Sequence, residues 1–124
     1  MGDATTAVDW KQLREFASVD LEKSFVLSWH MESDTLEVDI DLFLESEHPF
    51  YEKPRPAEKV CIRPACIEFP YCDSVTGNGS EDVASIGIGS IEGLCVQDGI
   101  YEIRGEFGTV VIDSERPLLR LKGS

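Results

Sequence analysis

The sequence predicts a mainly β domain, an antiparallel barrel or two-sheet sandwich of short strands with one short N-terminal helix. Three observations carry that expectation. The stretch Thr35–Leu44 alternates strictly, with Leu36, Val38, Ile40, Leu42 and Leu44 on one face and Glu37, Asp39 and Asp41 on the other. Successive side chains of a strand point to opposite faces, so this pattern is a half-buried strand with an acidic outer wall. The C-terminal third is a series of short apolar runs separated by turn signals at Asp98-Gly99, Phe107-Gly108 and Ser114–Pro117, the spacing of an antiparallel barrel or sandwich. The chain has 124 residues, enough for one domain whose core removes roughly two-thirds of the unfolded surface from water.

Taken in order, residues 1–7 read as a disordered lead-in. A short helix follows over 8–17. Asp9 caps it, Gln12 stands three residues later as in a capping box, and Trp10, Leu13 and Phe16 make a narrow apolar stripe. Two turns cannot stand alone, so the helix docks through Trp10 and Phe16 across an open end of the sheet, in preference to acting as a partner-binding lid. The sheet domain is expected over 24–122. Phe25–Met31 and Thr35–Leu44 form its first hairpin, with Glu32–Asp34 between them.

Three prolines between His48 and Pro56 make a stiff extended loop. Lys59–Phe69 is a third strand with a bulge or edge position at Pro64. The polar stretch Cys72–Ala84, centred on Gly77-Asn78-Gly79, reads as a mobile loop, and Ser85–Ile88 as a short strand or irregular segment. Strands follow at Gly89–Gln97, Ile100–Glu106, Thr109–Asp113 and Leu118–Lys122, with Asp98-Gly99 as a hairpin turn.

Composition restricts the partners. Hydrophobic residues make up 42% of the chain, as expected for a globular protein, but the formal charge is −13. Nucleic acid and anionic membrane surfaces repel such a chain. A basic protein does not, and Glu37, Asp39 and Asp41 are the candidate contact row. No apolar run is long enough for a membrane span, and the N-terminus has no basic region leading into an apolar core. Cys61, Cys66, Cys72 and Cys95 lack paired zinc-knuckle spacing, so they read as free thiols in a reducing, cytoplasmic compartment, with no metal and no cofactor. Cys61 and Cys66 are an odd number apart and face opposite ways on one strand.

Catalytic signals are thin. His30 and His48 are the only histidines, and neither stands in a nucleophile motif with Ser28, Ser74 or a cysteine. The Gly87–Gly93 run has the wrong spacing for a dinucleotide fingerprint. Two functional readings remain. One is a non-enzymatic protein-binding module with an acidic face. The alternative is a small-ligand or catalytic pocket inside a barrel, lined by Trp29, His30, Tyr101 and the cysteines.

Three stretches carry a resemblance. They are His48–Tyr51 with its following prolines, Cys61–Arg63 leading to Ile67–Pro70, and Tyr101–Ile112 with Pro117–Leu121. From Ser24 onward the chain resembles a group of small, acidic, uncharacterised bacterial proteins with no established activity. The resemblance implies a bacterial cytosolic origin and carries over no catalytic or binding residue. Other small acidic bacterial proteins neutralise toxins, and an immunity-type role is the expectation by that analogy.

Overall fold

The alternation of Thr35–Leu44 places its residues as the pattern requires. Leu36, Val38, Ile40 and Leu42 are fully buried, and Leu44 nearly so. In the computed structural model, which describes residues 7–49, 51 and 60–122, this strand is β3 (Thr35–Leu44). The others are β1 (Val8–Asp9), β2 (Val19–Glu32), β4 (Cys61–Phe69), β5 (Ser74–Gly77), β6 (Gly89–Gln97), β7 (Ile100–Gly105), β8 (Gly108–Asp113) and β9 (Leu118–Leu121). All pairings are antiparallel. The order is β5-β8-β7-β6-β2-β3-β4-β9, with β1 added on β6, and the path does not close.

The sheet curls on itself. Phe69 of β4 and Tyr101 of β7 meet edge to face with ring centroids 5.5 Å apart. Four strand steps separate them, which in a flat sheet is roughly 19 Å. Trp29 of β2 likewise meets Phe107, beyond β7, at 5.2 Å. One apolar core therefore lies between a first half, β2-β3-β4-β9, and a second half, β6-β7-β8-β5 with β1. The halves join through only two residue pairs, Phe25 with Ser90 and Val26 with Gly89. At that joint the Ser90 carbonyl lies where a Cβ on residue 105 would be, 2.2 Å away, so Gly105 has to be glycine. The Glu106 carboxylate accepts from the Ser90 backbone N–H at 2.7 Å and holds the same point from the side-chain direction.

Strand β2 starts earlier than the sequence pattern indicates. Between Asp20 and Phe25 it runs five residues while β3 runs two, from Phe43 to Asp41. The buried Ser24 side chain fills the irregularity, donating to the Asp20 carbonyl at 2.8 Å and accepting from the Phe43 N–H at 3.0 Å. A second register shift falls between Val26 and Ser28. It changes the phase of the strand, so that Val26 and Trp29 both face the core. Such bulges break the period of two, which is why Val19–Ser24 does not read as strand.

The helix expected over 8–17 is replaced by β1 and two single 3-10 turns, Trp10–Gln12 and Arg14–Phe16, with Leu13 extended between them. Asp9 caps the first turn as expected, accepting from the Lys11 N–H at 3.1 Å. Docking decides the rest. Trp10 and Phe16 are both buried in the core, and a continuous helix of this length has too few hydrogen bonds to hold against that demand.

The polar stretch expected as a loop over 72–84 contains β5, whose Val75 and Gly77 are buried and whose four residues pair with β8. The hairpin at Asp98-Gly99 forms as predicted, with both residues at positive φ, 54° and 77°. Pro64 sits opposite Asp41 in the β3–β4 ladder without a register shift, so no bulge forms there; one residue past the β4–β9 ladder, its carbonyl accepts from the Lys122 N–H at 3.0 Å and only the reciprocal bond is missing. The lead-in at 1–6 and most of the proline loop, residue 50 and residues 52–59, lie outside the described residues.

Candidate functional site

Glu37, Asp39 and Asp41 project from the outer face of β3, the second strand of the first half. Because β2 and β4 flank β3, all three are half-buried rather than fully exposed. Asp39 is enclosed in a polar network. It accepts from Ser28 Oγ at 2.9 Å and pairs with Lys122 Nζ at 2.7 Å. The Lys122 contact, seconded by Ser28, holds its carboxyl below the ordinary aspartate range. Asp39 in turn raises the Lys122 ammonium. One residue pair further on, Glu68 of β4 pairs with Arg120 of β9.

Cys66 lies between them, opposite Asp39 on one side and Arg120 on the other. It is buried, and burial followed by the surrounding carboxylates pushes its thiol up. Cys61 faces the core instead, so the two thiols do point opposite ways. His30, opposite Glu37, is exposed and binds the Glu32 carboxylate at 2.9 Å, the main reason its pKa is raised. The outer face of the first half therefore carries its own cations, Arg120 and Lys122, against the acidic row, with His30 joining them when protonated.

Trp29, His30 and Tyr101 do not converge. Trp29 and Tyr101 are buried core residues. The Trp29 indole donates to the Gly87 carbonyl at 2.7 Å, and burial raises the Tyr101 phenol. Trp29 and His30 are consecutive in a regular part of the β2–β3 ladder, so strand alternation puts His30 on the outer face, away from both.

A depression of about 290 Å³ lies where the N-terminal turns cross the start of β2, lined by Trp10, Lys11, Phe16, Asp20, Glu22 and Glu45 among others. Two of its three carboxylates have cations of the chain itself: Lys11 lies 3.6 Å from Glu22 and Lys23 lies 4.0 Å from Asp20. Trp10 Nε1 is buried without a hydrogen-bond partner among the described residues.

The second half is different. Residues 71–115 hold nine carboxylates and one cation, Arg104, a formal charge of −8 out of the chain's −13. On its outer face, Ile100 of β7 stands opposite Asp113 of β8, and Glu102 opposite Val111. Ile100 and Val111 are each 37% exposed. Glu102 continues the row to Cys95 of β6 and Asp9 of β1, while Thr76 and Ser74 of β5 extend it on the other side. Arg104 reaches Glu102 at 3.5 Å. Asp113 has no side-chain partner among the described residues. This face is not part of the longest alternating run, so periodicity alone does not single it out. The signal was a plain count of charges by segment.

Comparison with protein-family models, curated proteins and solved structures finds no match for this chain.

Proposed function

We propose that this chain is a non-enzymatic acidic module that binds a basic protein, with neutralisation of a toxin as the immunity-type form of that role. The observation that carries the reading is the segregation of charge: nine carboxylates against one arginine over residues 71–115. A preorganised negative sheet face steers a basic partner and raises its association rate, and salt screens that attraction over roughly 8 Å at physiological strength. In this reading the curled sheet works as a sandwich of two half-sheets joined at Ser90, with its core filled and its outer faces free to dock. Capture of a basic partner from host extract, followed by association kinetics across a salt series, tests it. The association rate falls as salt rises if the reading holds. A rate indifferent to salt refutes it.

A small-ligand role is the second reading, and it belongs to the depression beside Trp10 rather than to the centre of the core. The unpartnered indole N–H favours it, since a buried donor without an acceptor costs about 1–3 kcal/mol until something supplies one. Calorimetric titration with small acceptor-bearing cations distinguishes the two readings.

A further inference from the structure

Resting on the basic-partner reading, we infer that the docking surface is the outer face of β7 and β8, and that it takes a strand-like segment alternating basic and apolar residues. Ile100, Asp113, Glu102 and Val111 form a checkerboard on that face, each apolar side chain beside a carboxylate across the ladder and another two residues along its own strand. Neighbouring side chains on such a face stand about 5 Å apart. A segment whose cations and apolar groups alternate at strand spacing, about 7 Å between like residues, meets both sets at once.

Exposed apolar residues also occur on the first half, Phe25 and Leu118 among them. Leu118 stands on β9 opposite Glu68, a carboxylate that Arg120 already engages, while Phe25 sits at the joint between Asp41 and Ser90. A basic segment approaching the β9 side of that half meets like charge from Arg120 and Lys122. On the second half the nearest cation is Arg104, already engaged with Glu102, while Asp113, Asp98 at the hairpin tip and Asp9 on β1 add negative charge around the apolar pair. Charge complementarity thus selects one outer face over the other.

Cys95 supplies a native reporter. It lies on this face, next in the row after Glu102, and is half-buried, whereas Cys61 and Cys66 are buried in the first half. The probe is a synthetic peptide alternating lysine with valine. Controls replace valine by serine or lysine by glutamate. The peptide is titrated into the full chain while alkylation at each cysteine is mapped and backbone amide shifts are followed.

The expected result is slower alkylation of Cys95, an unchanged Cys72, and shifted amides on β7 and β8. Glu102→Lys with Asp113→Lys weakens binding roughly tenfold or more, and Glu37→Lys with Asp41→Lys leaves it within about twofold. Glu102→Gln with Asp113→Asn repeats the loss in weaker form and covers the case in which reversal disturbs folding. Binding that shifts amides of β2–β4 instead, or that ignores the Glu102 and Asp113 variants, overturns this surface while sparing the basic-partner reading. Equal binding of the glutamate peptide overturns both.

Discussion

The two halves of the sheet share a core and differ in what they do with charge. On the first half, acidic residues of β3 and β4 meet cations brought by β9, so that Asp39 and Glu68 are spent on Lys122 and Arg120. On the second half the carboxylates of β7 and β8 meet, among the described residues, only Arg104. An acidic row is therefore not the same thing as an acidic surface. The first is met by cations from β9, and the second is not.

The sharpest way to break the comparison is through the core that both halves share. Val38 in the first half and Ile103 in the second are fully buried. Val38→Asp and Ile103→Asp each strand a charge in that core and are expected to cost about 3 kcal/mol or more. Asp41→Asn, on the outer face, changes stability by less than about 0.5 kcal/mol. Because Phe69 and Tyr101 join the halves, both core variants lower a single melting transition. Two separate transitions would mean that the halves are independent folding units.

Ser24 comes next. Replacing it by alanine removes the hydroxyl that bridges the irregular stretch of β2 and leaves the Phe43 N–H without its acceptor. Ser24→Ala is expected to cost about 1–2 kcal/mol in chemical denaturation. An unaffected midpoint would show that water replaces the hydroxyl and that the irregular stretch needs no side chain to hold it.

The Asp39–Lys122 contact has a smaller, pH-dependent effect. Asp39 has a folded pKa below its unfolded value, so its contribution is present above the ordinary aspartate pKa and is lost as pH falls through the depressed one. Wild type should lose stability faster than Asp39→Asn over that acid range, with hydrogen exchange in β9 rising alongside. Parallel stability curves for the two proteins would remove the pair from any role in fastening β9.

The smallest effect belongs to His30, which is exposed on Glu32. Its raised pKa means that any stabilisation is present below the unfolded value and lost as pH rises through the folded one. Its ring resonances should titrate above the ordinary histidine midpoint, and Glu32→Gln should bring the midpoint down without moving the melting temperature. An unchanged midpoint in that variant would assign the shift to Glu37 and Asp39 instead, and so to the acidic row itself.

Where the determining interactions are local, the amino-acid sequence by itself decided the outcome. The burial of Leu36 to Leu44 follows from a period of two, the Asp98-Gly99 hairpin from two residues that tolerate positive φ, and the opposed Cys61 and Cys66 from strand parity. The mainly β, antiparallel character was legible for the same reason. The short helix was not, because its cap is local but its length was decided by where Trp10 and Phe16 had to dock. Strand β5 was hidden in a polar stretch that only β8 makes into a strand. The phase of β2 was hidden by bulges, which put Val26 and Trp29 on one face although they are an odd number apart, whereas the opposite facing of Trp29 and His30 followed from parity alone. The acidic row was legible as a row, but its neutralisation was not, since Lys122 is 83 positions from Asp39 and arrives beside it only because β9 pairs with β4. Periodicity reports which face a side chain takes; it carries no information about which distant strand lies next to it, and that adjacency decided where the charge of this protein is left unopposed.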